Sequence, residues 1–322
     1  MDKATNIERS NYLSTFVREY TILIALSILV IMLSLFLENF MSAENLVSVL
    51  KQASIIGLAA CAMTMVMLFG GVDLSIASTI SCSGVAAVFL LDRVSLFPAI
   101  LLTLLLGACI GLVNGIILSM IDGDTSANFV VTLGMATFLQ GTILVLTGGN
   151  LLYVNEQAAF KQIGQGMVGF IPTSTFWLLG VGALLQILIL ATPFGRRLRL
   201  SGGNRTAARY SGINANMYRI ITFIISGICA AMAGIVLASR VGSANPIMGK
   251  GYEFDAIAAS VIGGNSMFGG SGAIHRAFIG VLLLIFISNA LNLINIPNEL
   301  QTAIKGLVIF ISVWVDMPKK AK

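Results

Sequence analysis

Apolar residues in this chain run in long blocks separated by short polar breaks. Ten apolar stretches stand out: Thr21–Leu37, Gln52–Phe69, Leu74–Leu91, Phe97–Met120, Phe129–Thr147, Phe176–Ala191, Arg219–Ala238, Phe254–Met267, Phe278–Ile294 and Leu300–Val315. A helix that crosses a hydrocarbon core needs roughly 20 apolar residues. The pattern therefore predicts an all-α, polytopic transmembrane bundle of about ten helices. The eighth stretch is the weakest, because it is short and runs straight into Gly263, Gly264, Gly269 and Gly270. A broken or short helix is expected near 254–270. No polar segment is long enough for a soluble domain, so residues 1–322 read as a single membrane-spanning domain.

Composition narrows the solvent. Hydrophobic residues are 57% of the 322, charged residues 10%, and the mean hydropathy is +0.94. A soluble domain carries about 25% charged residues. A chain this poor in charge cannot cover a water-facing surface, and lipid must be its main solvent.

The net charge of +5 carries topology. With the N-terminus inside, the inner side receives Lys3, Arg9, Arg18, Arg196, Arg197, Arg199, Arg205, Arg209, Arg219, Arg276, Lys319, Lys320 and Lys322. The outer side receives Lys51, Arg93, Lys161, Arg240, Lys250 and Lys305. Thirteen of the 19 basic residues thus fall inside, which places both termini in the cytoplasm. A nucleic-acid surface would need a basic, water-exposed domain with interleaved aromatics, and none is present. The first stretch follows a basic segment, as in a signal peptide, but no clear small-x-small cleavage site follows it. A retained first helix is expected.

Two polar interruptions are longer than the rest. Residues 148–175 fall outside; there Asn155 is placed to cap a short helix carrying Ala158, Ala159 and Ile163, stopped by Gly164. This segment is either a loop packed over the bundle or a docking surface for an external partner. Residues 192–218 fall inside and are richer in signals. Gly202 and Gly203 break the backbone, Asn204 is a good N-cap, and Arg205–Tyr210 makes about two turns. Ser211 and Gly212 follow, with Gly212 free to close the helix in the left-handed conformation. Arg205 and Arg209 share a face, while Ala207 and Ala208 keep another part of the surface small enough to enter a groove. Beyond a positive-inside loop, two glycine breaks around a capped short helix point to a partner-docking element. A faint internal echo links Ala59-Ala60 and Phe69-Gly70-Gly71 to Ala258-Ala259 and Phe268-Gly269-Gly270 at a constant offset of 199. It is consistent with a parallel pseudo-repeat.

Catalytic chemistry is not written in this sequence. It has no serine–histidine–aspartate order, no carboxylate pair and no GxxxxGK[ST], so it does not hold ATP through a Walker motif of its own. Cys61, Cys82, Cys109 and Cys229 all fall in apolar spans at spacings that suit neither a metal cluster nor a disulfide framework. His275 is the only histidine, and it stands on a loop. No metal and no cofactor is expected. Asp73, in FGGVDLSIAS with Ser75, either caps the third helix or lines a pathway, since an unpaired aspartate at mid-membrane costs about 2.5–3.5 kcal/mol. Asp255 opens the eighth stretch with the same two readings. Asn114 and Asn289 fit interhelical hydrogen bonds better than direct substrate contact.

Three groups of residues carry a resemblance. They are Gly70-Gly71-Val72-Asp73-Leu74-Ser75; Phe194-Gly195-Arg196 with Gly202-Gly203-Asn204, Ala207-Ala208 and Ser211-Gly212-Ile213-Asn214; and Tyr252-Glu253-Phe254-Asp255-Ala256-Ile257-Ala258-Ala259, continuing into Ile262-Gly263-Gly264-Asn265-Ser266 and Gly269-Gly270. In order and spacing they resemble the permease subunits of ribose-type ATP-binding-cassette importers, over nearly the whole chain. The resemblance implies a subunit of a bacterial inner-membrane importer for a monosaccharide or related small polyol, with no enzymatic activity of its own. It also implies a homodimer or a sister permease, a cytoplasmic ATPase, and a periplasmic sugar-binding protein. The inner-loop helix, Gly202–Gly212, is then similar to the family's ATPase-coupling helix. Asp73, Ser75, Asp255 and Asn265 become candidate pathway or helix-end polar residues. The sequence departs from the family pattern at Ala77, at Asn128-Phe129 and Gln140, and at Ser271 and His275-Arg276. The alternative class is an ion-coupled secondary sugar transporter, for which Asp73 and Asp255 are the only reasonable coupling residues.

Overall fold

The computed structural model describes residues 22–121, 125–155 and 157–316. Lys3, Arg9, Arg18, Lys319, Lys320 and Lys322 of the basic count lie outside the described residues. The described residues form thirteen helices and four two-residue strands. In chain order these are α1 (Ile22–Phe36), α2 (Ala43–Leu68), α3 (Ile76–Leu91), α4 (Leu96–Met120), α5 (Thr125–Thr147), β1 (Leu152–Tyr153), α6 (Ala158–Gln165), β2 (Met167–Val168) and β3 (Ile171–Pro172). There follow α7 (Thr173–Ala191), α8 (Pro193–Gly203), α9 (Arg205–Tyr210), α10 (Ala215–Val241), β4 (Ser243–Ala244), α11 (Tyr252–Ile262), α12 (Ile274–Leu293) and α13 (Asn298–Asp316).

Each predicted apolar stretch coincides with one helix. Six of the helices, α2, α4, α5, α7, α10 and α12, are long and apolar enough to cross a membrane, while α1 and α3 are shorter apolar helices. The chain is a helical polytopic membrane protein. Several ends move outward from the apolar runs. Helix α2 begins at Ala43, nine positions before the stretch that starts at Gln52, because Ser42 caps it by accepting from the Asn45 N–H. The eighth stretch ends early: α11 has 11 residues and closes at Gly263. At 1.5 Å per residue that is about 16 Å of rise, roughly half of a hydrocarbon core.

The core gathers around α2 and α10. Helix α10 packs on α4, α3 and α2, and α2 packs in turn on α11, α12 and α7. The α4–α10 seam is glycine-lined. A Cβ at Gly107, Gly111 or Gly115 would collide with Gly227, Phe223 or Ile220 of α10. Small residues let two backbones touch where lipid supplies no hydrophobic drive for association. Helices α4 and α5 keep wide apolar surfaces exposed, including Leu101, Leu105, Phe129 and Phe138.

The segment 148–175 folds over the bundle in part. Strand β1 pairs antiparallel with β4, and β2 with β3. Helix α6 lies on α10, where Ser239 Oγ donates to the Phe160 carbonyl at 2.6 Å and accepts from the Gly164 N–H at 2.7 Å. Two local expectations are corrected here. Gln157, not Asn155, is the N-cap of α6, and it makes no side-chain capping bond. Gly164 lies inside α6, where it presses on Val236 and Arg240, and the helix ends at Gly166 instead. The buried face carries Phe160, while Ala158 and Ala159 are exposed. Tertiary packing on α10 chose the face. The β2–β3 tip projects, with Phe170 82% exposed.

Candidate functional site

The candidate residues fall into two places, a buried polar centre and a helix mounted on a glycine junction. The polar centre forms where α2 ends and α3 begins. Asp73 is 2% exposed. Its Oδ1 accepts from the Ser75 N–H at 3.0 Å and from Ser75 Oγ at 2.6 Å, and its Oδ2 accepts from Ser226 Oγ of α10 at 2.9 Å. Asn114 Nδ2 of α4 donates to Ser75 Oγ at 2.9 Å. Nearby, Thr132 of α5 accepts from the Leu74 N–H at 3.1 Å and donates to the Asn128 carbonyl at 2.7 Å. Asp73 does not itself cap α3, whose N-cap residue is Ser75; it accepts locally from Ser75 and between helices from Ser226. Four elements meet on one carboxylate and its neighbours.

Asp255 plays a different part. Its carboxylate pairs with Lys305 of α13 at 3.1 Å. The cap position of α11 is Gly251, and Glu253 Oε2 accepts the Gly251 N–H at 2.8 Å. Asp255 thus bonds between helices and does not cap. Asn289 behaves as expected of an interhelical amide, exchanging two hydrogen bonds with Asn45 of α2 at 2.9 and 2.7 Å. Asn265 donates to Thr64 Oγ1 of α2 at 3.2 Å and accepts from the Ala273 N–H at 2.8 Å, so it ties the loop after α11 to α2 and to the start of α12.

The two halves of the internal echo lie side by side, running the same way. Ser260 Oγ reaches the Ala60 carbonyl at 3.5 Å, Asn265 reaches Thr64, and the Gly270 N–H donates to the Leu68 carbonyl at 3.0 Å. The inner loop joins them at its glycine pair. A Cβ on Gly202 would collide with the Leu68 carbonyl oxygen, and one on Gly269 would meet Gly202 O at 2.5 Å. Gly70 and Gly269 have φ of +86° and +90°, which L side chains rarely adopt. The three glycine pairs, 70/71, 202/203 and 269/270, mark one junction.

On this junction stands α9. Asn204 Oδ1 accepts from the Ala207 N–H at 2.9 Å, capping the helix. Gly212, at φ +75°, closes it, and the Ile213 N–H returns to the Ala208 carbonyl at 3.0 Å. Ser211 Oγ donates to the Ala207 carbonyl at 3.0 Å. The two alanines point different ways: Ala207 is exposed, while Ala208 is 3% exposed and packs inward. The arginines also divide. The Arg205 guanidinium lies 5.0 Å from the Phe69 ring centroid, whereas Arg209 is exposed. Arg219, fully buried in α10, sits 5.1 Å from the same ring and donates to the Leu118 carbonyl. Sequence reading missed Tyr210, which is 90% exposed at the end of α9. Its aromatic side chain on a docking-type helix was the available signal.

Helix α5 presents a groove of about 880 Å³ lined by Leu133, Gly134, Thr137, Phe138, Gly141 and Val145 among others. The cysteines are free, and no metal-ligating cluster occurs among the described residues.

The geometry defines a polytopic helical membrane protein with glycine-lined helix seams and a short, capped helix beside a glycine junction. Comparison with known proteins is specific. A family model described as "Branched-chain amino acid transport system / permease component" matches residues 45–313. The chain is 36% identical over 314 residues to the ribose import permease protein RbsC of Haemophilus influenzae, covering 96% of each chain. It is 37% identical over 317 residues to RbsC of Escherichia coli K12, covering 97% of this chain and 98% of the relative. To the L-arabinose transport system permease protein AraH of the same organism it is 32% identical over 306 residues, covering 94% and 92%. No solved structure matches. The chain belongs to this family of transport-system permease components. It is the membrane-spanning permease subunit of an ATP-binding-cassette importer, in which ATP hydrolysis resides on a separate subunit.

Proposed function

We propose that this permease carries a monosaccharide or related small polyol inward across the bacterial inner membrane, in which it is a multi-pass protein. The relatives that match it over nearly their whole length are named for ribose, allose and arabinose. The excess of arginine and lysine on the α8–α9 side supports both termini inside, with α11 reaching only half-way through the core among the ten apolar helices. On that side α9, over Gly202–Gly212, is the coupling helix that enters a groove of the cytoplasmic ATPase. Ala207, Arg209 and Tyr210 form its exposed face, and Asn204 and Gly212 fix its two ends. The segment 148–175 receives the periplasmic sugar-binding protein, with the β2–β3 tip at Phe170 as its projecting contact. The groove on α5 faces a second permease subunit, a copy of this chain or a sister, and the pathway between them.

The observation that carries this reading is the mounting of α9. The end of α8, from which α9 follows after Asn204, is in backbone contact with the end of α2 and the loop after α11 through Gly202, Gly269 and Gly270, which supports a mechanical link between α9 and the bundle. Ion coupling has no comparable support, since Asp73 accepts from three protein donors and Asp255 is paired with Lys305. Asp73, Ser75, Asp255 and Asn265 then act by holding helix ends. Co-purification tests the assignment. The wild-type chain retains the ATPase on solubilisation, and Ala207→Arg loses it; retention by the variant would remove α9 from the interface.

A further inference from the structure

Between the last turns of α8 and the first turn of α12 lies a second cavity, of about 250 Å³. Leu190, Arg199, Gly272, His275 and Arg276 are among its lining residues. It is separate from the α5 groove and from the Asp73 centre. Its chemistry is basic. Arg199 Nη2 donates to the Gly272 carbonyl at 3.0 Å, while its Nε, shielded from solvent, has no hydrogen-bond partner. Arg276 lines the same cavity, and burial first, with the charge of Arg276 second, lowers the Arg199 pKa.

Gln186 of α7 fixes the third group. Its Oε1 accepts from the Ile274 N–H at 2.9 Å and the His275 N–H at 3.2 Å. That sets the amide orientation, so its NH₂ is what meets His275 Nδ1, at 2.8 Å. With Nδ1 accepting, the neutral imidazole carries its proton on Nε2. Two planar guanidinium forks and an imidazole around one cavity match the oxygens of a phosphate.

Position selects the source of that phosphate. Leu190, on the cavity wall, continues an exposed apolar flank of α7 that includes Leu184 and Ile187. A phospholipid here would keep its acyl chains against α7 while its phosphate entered the cavity. Basic pockets between helices on the cytoplasmic side are where anionic headgroups bind. We propose that Arg199, His275 and Arg276 form a site for the phosphate of an anionic phospholipid of the inner leaflet. The site lies beside Gly270 of the glycine junction, so an occupied site would brace the base of the α9 mount. The proposal rests on the cytoplasmic placement of α8 given above.

The experiment counts lipids on the purified full chain by native mass spectrometry, titrating phosphatidylglycerol against phosphatidylcholine. The wild type should hold phosphatidylglycerol about tenfold more tightly, given the contribution of each basic residue near an anionic surface. The Arg199→Gln/Arg276→Gln double variant should lose that preference. Arg199→Lys, which keeps the charge without the fork, should lose part of it and guards against misfolding of the double variant. Arg196→Gln/Arg197→Gln, on the same helix, should keep the preference. Millimolar inorganic phosphate should leave the lipid bound; displacement would identify a free-phosphate site and overturn the lipid assignment. Equal binding of both lipids by the wild type, or equal loss in the Arg196/Arg197 control, would also overturn it. So would a double variant that kept its lipid preference but shed the ATPase, because the face would then belong to a protein. Failure here leaves ATP-driven uptake in neutral vesicles intact, whereas failure of the permease reading abolishes such uptake in every lipid.

Discussion

The amide of Gly270 donates to the carbonyl of Leu68 at 3.0 Å, joining the loop after α11 to the last residue of α2. The bond sits where Gly202 leaves no room for a side chain beside the same carbonyl. The last turn of α8, the end of α2 and the loop after α11 thereby share one backbone contact, and the consequences of disturbing it can be measured residue by residue.

Gly202→Ala should be severe and Gly203→Ala mild. A Cβ at Gly202 strikes the Leu68 carbonyl, while one at Gly203 meets nothing closer than Gly270 at 3.6 Å, an ordinary contact. Overpacking of this kind costs about 1–3 kcal/mol. Thermal unfolding of the two variants in detergent, alongside ATP-driven uptake, checks it. Equal stability of the two would mean that the junction is looser than its geometry indicates.

The two alanines of α9 should separate docking from stability. Ala207→Arg, on the exposed face, should abolish ATPase binding and leave the melting temperature within a degree or so, as surface changes of about 0.5 kcal/mol do. Ala208→Arg puts a charge where the residue is 3% exposed, and should lower stability as well. Tyr210→Ala should weaken ATPase binding by about 1–2 kcal/mol without unfolding the helix, as truncated interface aromatics do.

How far the sequence reaches depends on the range of the interactions. Asn204, Gly212 and the two turns between them were legible because capping is local: donor and acceptor lie three residues apart, and Gly212 needs only its own backbone. The helical, membrane-spanning class was legible because lipid demands long apolar runs. The facing of Ala208 was not, since it is set by packing around a helix only six residues long. Nor was the partner of Asp73, because Ser226 lies 153 positions away. The Asp255–Lys305 pair and the hold of Gln186 on His275 are similarly non-local. Gly202 and Gly203 read as a backbone break, but α8 runs through them to Gly203 and the break falls at Asn204, because Gly202 serves close packing on Leu68. Only the fold shows that three glycine pairs meet.

At the polar centre, Asp73→Ala should destabilise more than Asp73→Asn. Alanine leaves the Ser75 N–H and the hydroxyls of Ser75 and Ser226 without their acceptor, at about 1–3 kcal/mol for each buried group. Asparagine keeps one oxygen, so its loss is smaller. Neither variant should change a proton or sodium dependence of uptake, because none is expected of the wild type. Uptake at varied pH and sodium, with unfolding midpoints, reads both outcomes. A sodium or proton dependence removed by Asp73→Asn would restore the ion-coupled alternative.

The Asp255–Lys305 pair is partly buried, at 16% and 27% side-chain exposure. Removing one partner strands a charge between α11 and α13, so Lys305→Met should cost more than the double Asp255→Asn/Lys305→Met. A double-mutant cycle should give a coupling of about 1–2 kcal/mol. Additive losses would show that the two charges act independently.

The central claim is that this chain is the conduit of an ATP-driven importer and has no motor of its own. Radiolabelled ribose uptake into proteoliposomes tests it most directly, with the permease alone, with its ATPase, and with ATPase and sugar-binding protein together. The account predicts concentrative uptake only in the complete assembly with ATP, lost in Ala207→Arg; a second pentose or hexose is tried where the binding protein prefers it. Concentrative uptake by the permease alone, driven by an ion gradient and indifferent to ATP, would contradict it.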